Sequence, residues 1–287
     1  MRNIDLTSPA QLMDLLRGHN FSPRKRFGQN FLVDRNVLNK ILDALEVREG
    51  DPVLEIGPGA GTLTVELARR GARMIAVEVD RDLIAILADV LPDSPNVSVV
   101  NADILSLNLP QFLADQFGDA KVKVVGNLPY YITSPIITEL LVARSQIERM
   151  VLMVQKEVAQ RIKASPGTKD YGSMSVFVQY YSEVELIGHA SKNVFLPPPE
   201  VSSSIIRLTP RSRPPVDVPS DELFFDVVHC AFGQRRKTLL NSLSDCQALG
   251  VSKEEVSRIL HAADIDPSRR AETLSLEEFA RIARAIG

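Results

Sequence analysis

The residues of this chain with chemical potential gather where short β-branched runs end. Val124-Val125-Gly126-Asn127-Leu128-Pro129-Tyr130-Tyr131 closes one such run with an amide, a backbone carbonyl ahead of a proline, and an aromatic ring. The strand is predicted to stop and turn sharply there, presenting all three groups together. The set suits one flat, amino-bearing heterocycle. Asn127 Oδ1 and the Leu128 carbonyl can each accept a hydrogen bond from an exocyclic NH₂, Pro129 fixes the turn, and Tyr130 can stack on the ring. The plain alternative is an Asn-x-Pro turn after a core strand, so the other strand ends have to decide.

Val53-Leu54-Glu55-Ile56-Gly57-Pro58-Gly59-Ala60-Gly61 is a predicted strand running into a glycine-rich turn and then a helix. Gly57, Gly59 and Gly61 let backbone approach a ligand, and the helix offers its N-terminus. A lone glycine turn is a weak signal, and Glu55 reads only as the acid preceding it. The spacing is G-x-G-x-G, whereas dinucleotide sites favour G-x-G-x-x-G. Glu78 ends the next strand, where a carboxylate can take both hydroxyls of a ribose. Asp103 follows the third strand and is placed to accept from an adenine amino group. Each acid alone fits a solvated strand end; in register beside the glycine turn they describe a pocket for a nucleoside without phosphates.

The elements that must carry these groups alternate. Strands are expected at Val53–Ile56, Arg73–Glu78, Val97–Asn101, Lys121–Gly126 and Arg149–Val154, with helices at Thr62–Arg70, Arg81–Val90, Gln111–Phe117 and Pro135–Ala143. That pattern predicts a mostly parallel sheet covered on both faces. Before it lie a short amphipathic helix, with Ser8 as N-cap, Pro9 at its first position and Leu12, Leu15 and Leu16 on one face, and a helix from Asp34 to Leu45. After it come a helix beyond Gln155, another at Ser173–Tyr181, and strands at Val184–His189 and Ser203–Leu208 expected to pair antiparallel. Thr209–Pro219, with four prolines, reads as a linker. Beyond it only helices are expected, at Asp221–Phe232, Lys237–Leu243, Lys253–Ala262 and Leu276–Ile286, the last opened by a Ser275–Glu278 capping box. The division is residues 1–209 as an α/β domain with an N-terminal helical extension and 210–287 as a small all-α domain.

Composition narrows the class. The net charge of -3 announces no general affinity for nucleic acid, so such a partner would be met by local patches. Arg24-Lys25-Arg26 and Arg235-Arg236-Lys237 are the densest basic clusters, readable as phosphate contacts or as solvated faces. Cys230 and Cys246 lie apart without a CxxC, which argues against zinc and against a disulfide framework. No signal peptide and no apolar run of the ~20 residues that span a bilayer is evident, so a cytoplasmic protein without membrane or metal partners is expected.

A nucleoside bound in this manner is S-adenosylmethionine, and the series of glycine turn, Glu78, Asp103 and Asn127 resembles the class I methyltransferases. Asn127-Leu128-Pro129-Tyr130 is similar to the motif of those that methylate exocyclic amino nitrogens. Phe27-Gly28-Gln29-Asn30-Phe31-Leu32, Phe195-Leu196-Pro197-Pro198-Pro199-Glu200-Val201 and Ala231-Phe232-Gly233-Gln234-Arg235-Arg236-Lys237-Thr238-Leu239 narrow the resemblance to the KsgA family of small-subunit rRNA adenine N6-dimethyltransferases, from about Pro23 to the C-terminus. The resemblance implies a Rossmann-like sheet with an antiparallel last strand and the helical C-terminal domain. It implies that Asn30 and Leu32 close over the methionine part of the cofactor with Gln29 supporting them, and that Gly57, Gly59 and Gly61 line it. Glu78 should hold the ribose, Asp103 the adenine, and Asn127 should sit near cofactor and target, with Phe195 as a second aromatic face beside Tyr130. It further implies dimethylation of two adjacent adenines in a hairpin loop near the 3′ end of small-subunit rRNA, on a precursor of the 30S subunit, by a monomer. Gly126 would leave room for the first methyl group. Three alternatives stand beside it: a large-subunit rRNA methyltransferase, a non-catalytic assembly factor on the same fold, and methylation of DNA adenine or a protein glutamine.

Overall fold

The structure is a computed structural model that describes residues 4–24, 28–91, 94–234 and 236–287. In chain order the elements are α1 (Pro9–Gly18), β1 (Phe31–Leu32), α2 (Arg35–Leu45), β2 (Pro52–Ile56), α3 (Thr62–Arg69), β3 (Arg73–Glu78), α4 (Arg81–Val90), β4 (Val97–Asn101), α5 (Leu109–Phe117), β5 (Val122–Asn127), α6 (Thr133–Val142) and β6 (Ile147–Gln155). There follow α7 (Lys156–Lys163), α8 (Ser173–Tyr181), β7 (Ser182–Ala190), β8 (Phe195–Leu196), β9 (Ser203–Pro210), α9 (Asp221–Phe232), α10 (Leu239–Ser244), α11 (Lys253–Ala262) and α12 (Leu276–Ile286). The chain divides into two compact units, one of Met1–Ala159 with Glu185–Pro210, the other of Gln160–Val184 with Arg211–Gly287. Residues 160–184 thus pack with the C-terminal helices, whereas a division at 209/210 puts them with the sheet.

The first unit is built on a seven-stranded sheet of order β4-β3-β2-β5-β6-β9-β7. The strands from β4 to β6 run parallel, and β9 runs antiparallel to β6. This is the expected fold class. One face packs on α2, whose Val37, Leu38, Ile41, Leu42 and Leu45 meet Val53, Val125 and Val151 of the strands. Another cluster joins Leu12, Leu15 and Leu16 of α1 to Leu83, Ile86 and Val90 of α4 and to Phe31. Acidic caps start the helices that border the strand ends. Asp34 accepts from Val37 N at 2.9 Å and Asp80 from Asp82 N at 3.1 Å, each satisfying an orphan amide of a first turn. Ser8 stands at the N-cap of α1 without a side-chain cap bond.

An antiparallel ribbon of β1 and β8 pairs Phe31 with Leu196 and Leu32 with Phe195. It joins segments far apart in sequence, and its strands of two residues carry no periodicity to announce them. In the second unit, Tyr180 stacks on Phe224 with ring centroids 4.7 Å apart within a cluster that includes Val227, Leu260 and Phe279. The Ser275–Glu278 box is formed in both directions, Ser275 N donating to Glu278 and Glu278 N to Ser275. Cys230 and Cys246 are joined in a disulfide across 16 residues. The expectation against a disulfide is thereby corrected: α10 returns the chain after α9, a proximity that sequence spacing does not reveal. No described helix is long and apolar enough to cross a membrane.

At Gly126 the sheet leaves no space for a side chain. A Cβ there would lie 2.7 Å from the Ile56 carbonyl oxygen and 3.0 Å from Leu128 Cδ2. Gly126→Ala should therefore destabilise the fold by about 1–3 kcal/mol, the usual cost of overpacking. A urea denaturation midpoint equal to that of the parent would refute this.

Candidate active site

The carboxyl ends of β2, β3 and β5 open into a cavity of about 190 Å³ in the first unit. Its floor is the turn after β2. Gly57, Gly59 and Gly61 all have positive φ, a conformation open chiefly to glycine. A Cβ at Gly59 would come within 3.1 Å of the Phe31 ring, so glycine there serves close approach as well as conformation. Gly57 N donates to Val77 O at 3.0 Å, and Gly59 N donates to Glu78 Oε2 at 3.2 Å. Glu78 is buried and its Oε1 accepts from Asp80 N at 2.9 Å. Burial pushes its carboxyl above the usual range, while the amides of Asp80 and Gly59 pull it back.

The N-terminal segment is fastened over the same opening. Asp80, fully buried in its side chain, accepts from Arg24 Nη1 at 3.0 Å and from Gln29 Nε2 at 2.7 Å. Gln29 Oε1 accepts in turn from Arg24 N at 2.6 Å. Arg24 also reaches Asp82 with its other amino group. Asn127 Nδ2 donates to Asn30 O at 2.8 Å, and Asn30 Nδ2 to Gly28 O at 2.9 Å. Asn127 therefore spends its donor on the backbone of this segment, and Oδ1 is left as the acceptor.

Of the residues expected at the site, Gln29, Asn30, Leu32, Gly57, Gly59, Glu78, Asp103, Asn127 and Pro129 line the cavity. Gly61 lies behind it as the N-cap of α3, where a Cβ would come 3.0 Å from Leu87. Leu128 is buried, with its N–H on Met153 O at 3.0 Å. Two expected aromatic faces are absent from the lining. The Tyr130 hydroxyl is bonded to Ser203 Oγ at 2.6 Å, which ties the ring to β9. Phe195 is 3% exposed and packs in the cluster with α2, because its pairing with Leu32 turns it into the core. The aromatics that line the cavity are Phe31, which is buried, and Tyr131, 59% exposed. Burial raises its hydroxyl pKa, and the charges of Asp103 and Glu78 add to the effect.

Sequence reasoning also passed over Glu55, Val79 and Ile104 as lining residues. One apolar residue after a strand-end acid is too ordinary to signal a site, and Glu55 falls mid-strand. Among the expected basic groups, Lys25, Arg26 and Arg235 lie outside the described residues. Arg24 is committed to Asp80 and Asp82, Lys237 to Asp245 at 2.5 Å, and Arg236 is exposed. No group of three or more metal-ligating side chains occurs among the described residues.

Residues 20–285 match the family model described as ribosomal RNA adenine dimethylase. A protein of Geobacillus thermodenitrificans named ribosomal RNA small subunit methyltransferase A is 47% identical over 98% of this chain and 97% of its own. A protein of the same name from Anoxybacillus flavithermus is 46% identical over 98% of this chain and 96% of its own. Among solved structures, a dimethyladenosine transferase from Plasmodium falciparum is similar, with TM-score 0.72 and 25% identity over 88% of this chain and 95% of that one. The 23S rRNA methyltransferase ErmE gives TM-score 0.65 and 29% identity over 90% and 99%.

The Arg24–Gln29–Asp80 fastening yields a direct expectation. The double change Arg24→Ala with Gln29→Ala removes both side-chain hydrogen bonds to Asp80, each of a charge-assisted kind worth about 1.5–3 kcal/mol, and the contact with Asp82. Amide hydrogen exchange at Gly28–Leu32 should quicken by about tenfold or more, while α2 and β5 stay protected. Unaltered exchange at Gly28–Leu32 would show that this network does not hold the segment.

Proposed function

The chain belongs to the ribosomal RNA adenine dimethylase family, and on that premise we propose that it dimethylates N6 of two adjacent adenines in a hairpin loop near the 3′ end of small-subunit rRNA, during assembly of the 30S subunit. The single observation that carries this reading is the set of Glu78, Asp103 and Asn127 around one cavity above a glycine turn. The relatives named for the small subunit, at 46–47% identity over nearly the whole chain, favour that substrate over the large-subunit one suggested by the 29% likeness to a 23S enzyme.

The cavity's residues fit S-adenosylmethionine. Glycine backbone gives close approach, Glu78 is a buried acceptor for paired hydroxyls, and the apolar Val79, after Glu78, and Ile104, after Asp103, line the cavity for a flat ring. Glu55, with one buried oxygen that lacks a hydrogen-bond partner, also lines the cavity. When bound, this cofactor supplies an electrophilic methyl group. Asn30, Leu32 and the glycine turn hold its methionine end, with Gln29 bracing the segment from Asp80.

The chain's contribution to the chemistry is mostly positioning. The adenine N6 lone pair is delocalised into the ring, so acceptors at Asn127 Oδ1 and the Leu128 carbonyl favour its localisation and aim it at the methyl group. Pro129 keeps that carbonyl in place. The target base has to leave its stack, and Tyr131 offers the exposed face on which it can rest. Tyr130 shapes the wall from behind through Ser203, and Phe195 supports Leu32 from the core. The product cation loses its proton readily, so no strong base is required.

RNA is gripped outside the cavity, through Lys25 and Arg26 in one unit and Arg235 and Arg236 in the other. Arg24 and Lys237 serve chiefly as structural partners of acids. The proposed active species is a monomer in the cytoplasm.

Two measurements test this reading. Asn127→Ala should bind the RNA substrate normally yet lose about 10²–10³ in methyl transfer, the usual cost of one preorganised electrostatic contact; transfer from labelled cofactor at near-parental rate would remove Asn127 from the chemistry. Arg236→Ala should lower the salt slope of RNA binding by ~0.7–0.9, as expected for one lost phosphate contact. The same experiment on Lys237→Ala should leave the slope unchanged and lower stability by at most about 1 kcal/mol. A slope altered by Lys237→Ala and not by Arg236→Ala would reverse those two assignments.

A further inference from the structure

Cys230 and Cys246 are the only cysteines of the chain, and the mechanism above makes no use of the bond between them. Cys230 stands in the last turn of α9 and Cys246 follows α10. Their Cα atoms are 5.5 Å apart, within the span of a disulfide. The ring that this bridge closes contains the loop from Gly233 to Thr238 and the whole of α10. That loop carries Arg236, the exposed cation assigned above to phosphate, beside Arg235 in sequence.

Both flanks of the loop belong to the core of the second unit. Val227, Cys230 and Ala231 of α9 are buried in its cluster, as are Leu239 and Leu243 of α10. Leu239 N donates to Arg269 O at 2.8 Å and Leu240 N to Pro267 O at 3.2 Å, so α10 is also tied to the segment after α11. Within the ring, Lys237 N donates to Gln234 O at 3.0 Å and Lys237 Nζ pairs with Asp245 at 2.5 Å. Asp245 immediately precedes Cys246, so the bridge also fixes the anchor of Lys237. Opening it would leave the helices their packing and release the two ends of the basic loop from each other.

We infer that the Cys230–Cys246 bridge is a redox switch on the RNA grip, which holds the basic loop ready when closed and loosens it when open. The inference rests on the assignment of this loop to RNA in the proposed function. In the cytoplasm proposed above, disulfides are chiefly transient or redox-sensing, which suits a switch and not a permanent staple. Cys230 is 3% exposed but Cys246 is only half-buried, so a small thiolate has access to the bridge at Cys246. A dithiol is the co-reactant. Its thiolate attacks Cys246 Sγ, the S–S bond breaks and Cys230 leaves as thiolate. The second thiol of the reagent then displaces Cys246 and closes a cyclic disulfide. Two electrons and both protons of the dithiol end on the two cysteines, and a small-molecule disulfide reverses the exchange.

Ordering one long side chain on binding weakens affinity by about two- to tenfold, so the open form should bind RNA about three- to tenfold less tightly. The full chain is compared after treatment with glutathione disulfide and after reduction with dithiothreitol, its thiols counted with a chromogenic disulfide. No free thiol is expected in the first state and two in the second. Fluorescence anisotropy with an rRNA hairpin bearing the adjacent adenines reads RNA affinity, and calorimetry reads S-adenosylmethionine. Reduction should weaken RNA binding and leave the cofactor Kd unchanged. The double change Cys230→Ser with Cys246→Ser should bind RNA like the reduced parent in either reagent. Should that variant fail to fold, Cys246→Ser alone, which alters only the half-buried sulfur, makes the same comparison. In Arg236→Ala the redox effect should shrink, because part of the contact it governs is already gone.

Thiols that persist under the oxidant, equal RNA affinity in the two states, or an undiminished redox effect in the double-serine variant would overturn the inference and leave the proposed function standing. RNA bound in neither state would overturn the assignment of the loop to RNA, and the inference with it.

Discussion

The Glu78 carboxylate is the junction on which the open end of the first unit depends. One oxygen accepts the amide of Gly59 and the other the amide of Asp80. The glycine turn and the start of α4 are thereby held to the end of β3. Asp80 passes the constraint on, because its own carboxylate caps α4 and takes Gln29 and Arg24. Hydrogen bonds to an ionised acceptor are roughly twice as strong as neutral ones, and here they oppose a burial that disfavours the charge. Three separate stretches of chain therefore converge through two acids two residues apart. A ligand entering the cavity meets Glu78 already fixed in place.

Much of this was legible in the chain because parallel strands announce themselves. β3 and β4 have the limits expected from their apolar runs, and α4, α8, α9, α11 and α12 begin and end where their caps and turns indicate. Local signals of that kind come from neighbours within a few residues. What escaped depends on distant pairing. The β1–β8 ribbon has no pattern of its own, yet it turns Phe195 inward and sets the place of Leu32. Tyr130 and Tyr131 are indistinguishable as sequence; the bond to Ser203 on β9 decides which ring is withdrawn and which faces the cavity. Residues 160–184 leave the sheet because Tyr171, Val176 and Tyr180 belong to the cluster around Phe224, a partnership periodicity cannot express.

Charge illustrates the same limit. A run of basic residues reads as a patch, but folding supplies acids that sequence keeps far away. Arg24 meets Asp80 and Asp82, Arg207 meets Glu46 and Glu185, and Arg211 meets Glu183. Arg269, in a second basic pair near the C-terminus, is taken by Glu278, whose carboxyl is drawn down to about 2 by this partner and by Ser275, against the effect of burial. On a chain of net charge -3 many cations are neutralised in this way. Exposed cations such as Arg236 remain, so any contact with phosphate would be local and shaped and not a general affinity for polyanions.

Gly126 shows how a small residue beside a site can mislead. Next to Asn127 it looks like space reserved for a methyl group on the target nitrogen. The Cβ position is instead filled from behind, by the Ile56 carbonyl and the Leu128 side chain. The glycine allows β5 to lie against β2 at the point where both strands reach the cavity, and so it serves the backbone that carries Asn127. On its cavity side Asn127 has the exposed ring of Tyr131 and the segment bearing Asn30 as fellow lining residues. That segment is tied to the carboxyl ends of β5 and β3, by Asn127 to Asn30 and by Asp80 to Gln29 and Arg24, so the wall beside Asn127 is set by contacts between distant stretches of chain and not by the glycine.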